Sequence, residues 1–288
     1  MRKTNLLFVV LLYSFILRFW RLGQIPPLID QSLFLARLTN AFLSLMSVFL
    51  LYYYSKVLFK NVRLALLSAY IFAIAPWVLE QGRIYSQVNV ALFILLAFLT
   101  VTIKLKSLYL KLFLSSIFYF LFSISYPQFW LFKMSQFELS LNNVLNNIFI
   151  ILSPEFFFFK NPTFWWGGVR DFGILYLAWL PFLLVGLNDV FVIKKPRILL
   201  WIGIVLLISV ASPFFPESRE FFIITPFISL IVASGIYKFF SRNDLLTRVL
   251  FFLVFVFMIY EIIQYFHYYT IHYPQQILGN RGHINEPF

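Results

Sequence analysis

The sequence predicts an all-α polytopic membrane protein of about nine transmembrane helices, with a further interfacial helix near 135–152. Three observations lead there. Of 288 residues, 61% are hydrophobic, 22% aromatic and 12% charged, too little polar side chain to cover a water-soluble domain of this size. The apolar runs approach the roughly 18 or more residues that mark a membrane span. They are continuous rather than alternating, and lipid-facing backbone satisfies its own hydrogen bonds only in helices or closed barrels, so helices are expected.

The first span is expected near 4–20. Its basic start and apolar run suggest a signal peptide, but Arg18-Phe-Trp-Arg-Leu-Gly follows in place of a small-residue cleavage site. A retained span is therefore expected, with Arg18 snorkelling toward headgroups. A Pro26-Pro27 break and Asp30 come next. Spans near 33–58, 62–79, 84–103 and 108–126 follow, the third interrupted by Pro76. The outer connecting region 127–170 is long and mixed. Within it Leu141, Val144, Leu145, Ile148 and Leu152 recur at helical spacing among clustered asparagines, the pattern of a helix lying in the interface. Four further spans are expected near 172–193, 197–213, 219–240 and 246–267. Residues 1–267 thus read as one transmembrane domain, and 268–288 as a short extracytoplasmic tail.

The net charge of +12 is explained by topology. Taking the connections alternately, 14 of the 23 lysines and arginines fall on the side of the N-terminus, while most acids fall on the other. The positive-inside rule places the N-terminus in the cytoplasm and the C-terminus outside, in a multi-pass protein of the cell membrane. The bilayer is the expected partner, and no nucleic acid is. The chain has no cysteine, which excludes disulfides, thiolate metal sites and thiol nucleophiles. His267, His272 and His283 lack metal-ligand spacing, so no metal site is expected.

The chemistry is expected among polar residues near the outer ends of the spans. Asp30 has two readings: a catalytic base facing a membrane-embedded cavity, or a cap on the helix that starts near Leu33. Arg83 and Gln87 stand one helical turn apart, with Glu80 just before them. They line a pocket, or else Arg83 reaches headgroups with Glu80 as its partner. Arg219 opens the eighth span, and an arginine at a helix N-terminus suits a phosphate. Its alternative is a local bridge to Glu217 or Glu220. Arg170 precedes the sixth span, beside Asp171.

Several short blocks share an order with a known group. They are Leu17-Arg-Phe-Trp-Arg-Leu-Gly23, Ile25-Pro-Pro with Asp30, Arg37-Leu-Thr-Asn-Ala-Phe-Leu43, Ala75-Pro-Trp, Arg83-Ile-Tyr-Ser-Gln-Val-Asn89, Ser153-Pro-Glu, and Ser212-Pro with Arg219. Their succession resembles the GT-C membrane glycosyltransferases, in particular the protein O-mannosyltransferase and aminoarabinose-transferase-like group, in a shortened form. The resemblance implies inverting transfer of a sugar from a polyprenyl-phosphate donor to an unknown acceptor on the outer face, with no metal or cofactor. It implies Asp30 as the catalytic acidic position, Arg83 and Arg219 as phosphate-holding or site-organising residues, and Gln87 as pocket lining; Glu80 and Arg170 are further candidates for substrate binding. Here Gln31 follows Asp30 where the family has Glu, and six residues separate Asp30 from Arg37 where it has a long loop. A catalytically reduced relative that binds a lipid or a partner is the alternative.

Overall fold

The computed structural model describes residues 3–27, 33–125, 141–160, 169, 172–192, 196–211, 219–241 and 244–279. Among them every regular element is a helix. In chain order these are α1 (Lys3–Phe19), α2 (Leu33–Phe59), α3 (Val62–Ile74), α4 (Pro76–Arg83), α5 (Gln87–Thr102), α6 (Leu108–Ser125), α7 (Leu141–Leu152), α8 (Leu180–Val192), α9 (Pro196–Ala211), α10 (Thr225–Phe240), α11 (Leu245–His267) and α12 (Tyr273–Gly279). Short 3-10 turns at Leu177–Trp179 and Arg219–Ile224 lead into α8 and α10, and π turns occupy Glu155–Phe159 and Tyr268–His272.

The helix lengths correct the expected nine crossings. Among the described residues three helical stretches are long and apolar enough to cross a bilayer: Phe34–Phe59, Phe221–Phe240 and Leu245–Leu278. A fourth arises if α3 and α4, bent by 61° at Pro76, count as one broken span. The other apolar segments form shorter helices. At 1.5 Å per residue the 16 residues of α5 rise about 24 Å, against a hydrocarbon core of about 30 Å. The predicted span 172–193 enters through non-helical backbone and a 3-10 turn, so α8 itself holds 13 residues. The interfacial stretch is helical as α7, and residues 126–140, which include its expected first turn, lie outside the described residues. The last helix does not stop at 267 but runs on through a π turn to Gly279.

Packing separates the long helices into two kinds. Every residue of α10 from Thr225 to Ile236 is buried. It packs against α8 and α3, while α2 packs against α3 and α5. Stretch Leu245–Leu278, by contrast, is 11% buried and turns Phe252, Phe255, Val256 and Ile259 outward. The contact between α8 and α10 is backbone on backbone. A Cβ on Gly186 would lie 1.9 Å from the Ile231 carbonyl oxygen, and one on Gly235 1.9 Å from that of Phe182. Small residues let membrane helices approach this closely, and here only glycine fits.

Polar side chains bolt the bundle internally. Asn40 Nδ2 of α2 donates to the carbonyls of Gln81 (2.6 Å) and Ile84 (2.5 Å), across the break between α4 and α5. Asn89 Nδ2 donates in turn to Asn40 Oδ1 at 3.1 Å. Glu261 of α11 accepts from the backbone N–H of Leu177 (3.0 Å) and Ala178 (2.7 Å). It caps the turn that starts α8 from another helix, which satisfies orphan donors of the kind every helix start carries. At the far end of α8, Asp189 pairs with Lys238 at 3.0 Å and accepts from Ser234 at 2.5 Å.

The bundle therefore has two distinct ends. One gathers the end of α2, the start of α3 and the end of α5, where Ser55 meets Ser68 and Lys104 meets Tyr53. Its cations are mostly lysines. The other gathers the end of α1, the start of α2, all of α4 and the C-terminal turns, and its buried cations are arginines.

Candidate functional site

The arginine end is built on the turn Trp20–Pro27, which links α1 to the masonry of α2 and α4 and includes a cis Ile25–Pro26 bond. A turn with free carbonyl oxygens in apolar surroundings needs donors, and two arginines supply them, with a third buried close by. Arg83 Nη1 donates to the Leu17 carbonyl at 2.5 Å, and its Nη2 to those of Trp20 (2.7 Å) and Ile25 (2.9 Å). Arg37 donates to the carbonyls of Pro26 (2.5 Å) and Pro27 (3.2 Å). Arg18 reaches inward, bonding Ser44 Oγ (2.8 Å), Ser14 Oγ (2.7 Å) and the Ala73 carbonyl just before the Pro76 break (3.3 Å).

These arginines are unusually deep. Arg18 is 0% exposed, Arg83 3% and Arg37 7%. Arg18 and Arg37 each lie close enough to Arg83 for their charges to act on one another. Among the described residues no carboxylate forms an ion pair with any of the three. Carbonyl dipoles offset part of the burial cost. The Nε of Arg83 and Nη2 of Arg18 are buried with no hydrogen-bond partner among the described residues.

A cavity of about 210 Å³ opens beside Arg83. Tyr13, Ile16, Leu17 and Trp20 form its α1 wall, Leu79 comes from α4, and Tyr265, Phe266, Tyr269 and Thr270 close it from the C-terminal helix. Arg83 Cζ stands 5.5 Å from the centroid of the Tyr269 ring, within the range of a cation–π contact. The tyrosines follow from periodicity: Tyr265, Tyr269 and Tyr273 recur every four residues, and their rings stack at 5.7 and 5.6 Å. Gly82 lets α4 lie against α2, since a Cβ there would meet Ser44 Oγ at 2.5 Å. An apolar, aromatic cavity with a guanidinium at its edge suits an amphiphile with an anionic group.

The expected site residues divide. Arg83 is at the cavity, held by turn carbonyls rather than reaching toward headgroups. Glu80 is buried one turn earlier, where Oε1 accepts from the Val169 N–H at 3.1 Å and the Tyr265 hydroxyl at 3.4 Å. It is not among the cavity's lining residues. Gln87 is exposed at the first position of α5 and does not line the cavity either. Arg219 begins the 3-10 turn ahead of α10, and its side chain lies outside the described residues. Asp30 and Arg170 also lie outside them; Pro27 and Leu33 flank the segment with Asp30, and Pro27 is held at this end by Arg37. Arg18, expected to snorkel, is instead inside the bundle. The sequence carried one signal for it, because Ser14 precedes it by one turn; Ser44 meets it only through packing.

Comparison with protein-family models, with curated proteins and with solved structures finds no match to this chain.

Proposed function

We propose that this chain is a membrane glycosyltransferase that takes its sugar from a polyprenyl-phosphate donor. The observation that carries the reading is the trio of buried arginines, unpaired by any described carboxylate, beside an aromatic cavity. A phosphate leaving group departs as an anion and needs positive charge more than a general acid. Arg83, with Arg18 and Arg37 behind it, supplies that charge, and the cavity takes the first part of the lipid. In the reaction an acceptor hydroxyl or amine attacks the anomeric carbon from the face opposite the phosphate. The carbon–oxygen bond to phosphate breaks with its electron pair on the phosphate, the configuration inverts, and the acceptor proton passes to the Asp30 carboxylate. Arg219 and Arg170 are assigned to the phosphate, while Gln87 and Glu80, which do not line the cavity, are given no part in the transfer. On this reading the arginine end faces outward from the cell membrane.

A second reading is favoured by one feature. Both terminal nitrogens of Arg83 are already occupied by backbone carbonyls, which fits a relative that binds the lipid without transferring its sugar. Membranes containing the protein, supplied with labelled polyprenyl-phosphate sugar, separate the two. Transfer is expected, and Asp30→Asn is expected to abolish it at equal protein level while lipid binding persists. Turnover by Asp30→Asn at the parental rate would sink the assignment of the base, and binding without transfer in the parent would select the second reading.

A further inference from the structure

The opposite end of the bundle takes no part in that reaction. There the chain leaves α2 through Lys60, which has a φ of 54°, and Asn61 caps α3 by accepting from the N–H of Arg63 and Leu64. The α5–α6 connection runs alongside. Lys104 Nζ bonds the Tyr53 hydroxyl and lies 4.5 Å from the centroid of its ring. Lys56 Nζ lies 6.0 Å from the centroid of the Tyr52 ring, and its charge also acts on Tyr53. Two ammonium groups, one from α2 and one from the α5–α6 connection, thus sit on the rings of neighbouring tyrosines, Lys56 on Tyr52 and Lys104 on Tyr53. Lys60, Arg63 and Lys106 are exposed on the turns around them.

Like charges gathered this closely repel unless an anion lies among them. The protein provides none among its described residues: no carboxylate pairs with these five cations. Asp189 is engaged by Lys238 and Ser234, and Asp244 caps α11 at Thr247. Directly beyond the cluster α6 begins, packed on α5 through rings such as Phe98 and Phe118. Its free face is apolar, with Tyr109 86%, Phe113 62% and Phe120 63% exposed.

We infer that this end holds an anionic diacyl phospholipid, its phosphate between Lys56 and Lys104 and its acyl chains along the free face of α6. Charge complementarity selects the head, and the continuity of the cation cluster with an apolar helix face selects a lipid over a soluble phosphate. Cations beside a membrane helix draw anionic lipids electrostatically, and lysine stems lie along apolar surface while their ends stay polar. Tyr53 adds restraint: an ammonium already held by a hydroxyl and a ring loses little freedom when the phosphate arrives. The site is independent of the transferase reading, since it uses no residue of the arginine end.

The test is lipid retention by the full chain, purified in detergent and offered phosphatidylglycerol, phosphatidylcholine with the same acyl chains, or inorganic phosphate. Native mass spectrometry counts bound lipid, and thermal unfolding reports stabilisation. Phosphatidylglycerol is expected to stay bound and raise Tm, phosphatidylcholine and phosphate to do neither. Lys56→Gln with Lys104→Gln is expected to weaken phosphatidylglycerol binding about thirtyfold, from two lysine contributions. Lys56→Arg with Lys104→Arg keeps binding, and Lys160→Gln, which removes a cation elsewhere, leaves it unchanged. Equal retention of the two lipids, stabilisation by phosphate alone, or undiminished binding by the double glutamine variant would each overturn the site.

Discussion

Arg83 shows how one side chain serves both the fold and the site. Its planar fork bonds one carbonyl in the last turn of α1 and two of the turn after it, a geometry that a single ammonium on a flexible stem does not reproduce. Arg83→Lys is expected to lower stability by roughly 2–3 kcal/mol through lost charge-assisted hydrogen bonds. Thermal unfolding in detergent reads this as a clear fall in Tm, and a Tm equal to the parent's would mean that the turn holds itself. Glu261 gives a second residue-scale case. Glu261→Gln keeps an acceptor for one of the two N–H groups it caps and turns a donor toward the other. About 1–2 kcal/mol of destabilisation is expected, and more for Glu261→Ala, which strands both donors. If Glu261→Ala unfolds at the parental temperature, the cap is dispensable.

Among the elements, α8 and α10 form the contact least tolerant of change. Gly186→Ala or Gly235→Ala forces a methyl into a facing carbonyl, so the helices must part along their length. A loss of about 1–3 kcal/mol is expected for each, the scale of overpacking in a close-packed interior. Gly203 is the control: a Cβ there meets nothing within 4 Å, and Gly203→Ala is expected to be neutral or to stabilise α9 by up to about 1 kcal/mol, the difference in helix propensity. Equal effects at all three positions would remove the argument from close approach. The sequence showed each of these glycines inside an apolar run, but not which would face another backbone. That depends on the rotation of one helix about another, which local periodicity does not set.

For the whole molecule the two ends are the organising fact, and the absence of cysteine makes them testable. Exposed positions at the two ends of the broken span α3–α4, Arg63 and Tyr85, can each be replaced by the chain's single thiol. Arg63→Cys and Tyr85→Cys are expected to react with an impermeant maleimide from opposite sides of sealed vesicles; labelling of both from one side would break the two-ended arrangement. The sequence by itself determined the helical class, the apolar runs and the positions of most breaks, because these follow from hydrogen-bond satisfaction in lipid and from proline. It also singled out Arg83, whose block stands at the end of a span. What it misjudged were crossings and depth. Apolar composition does not distinguish a helix facing lipid from one packed inside a bundle, so runs later formed as short or bent helices were expected to be full spans. Arg18 was expected at the surface because an arginine near a helix end commonly is, and the partners that bury it, Ser44 and the Ala73 carbonyl, are 26 and 55 residues away. Tertiary structure alone decided which cations are buried together at one end, with Arg83 at the cavity, and which gather at the other, because only packing brings the ends of distant helices together.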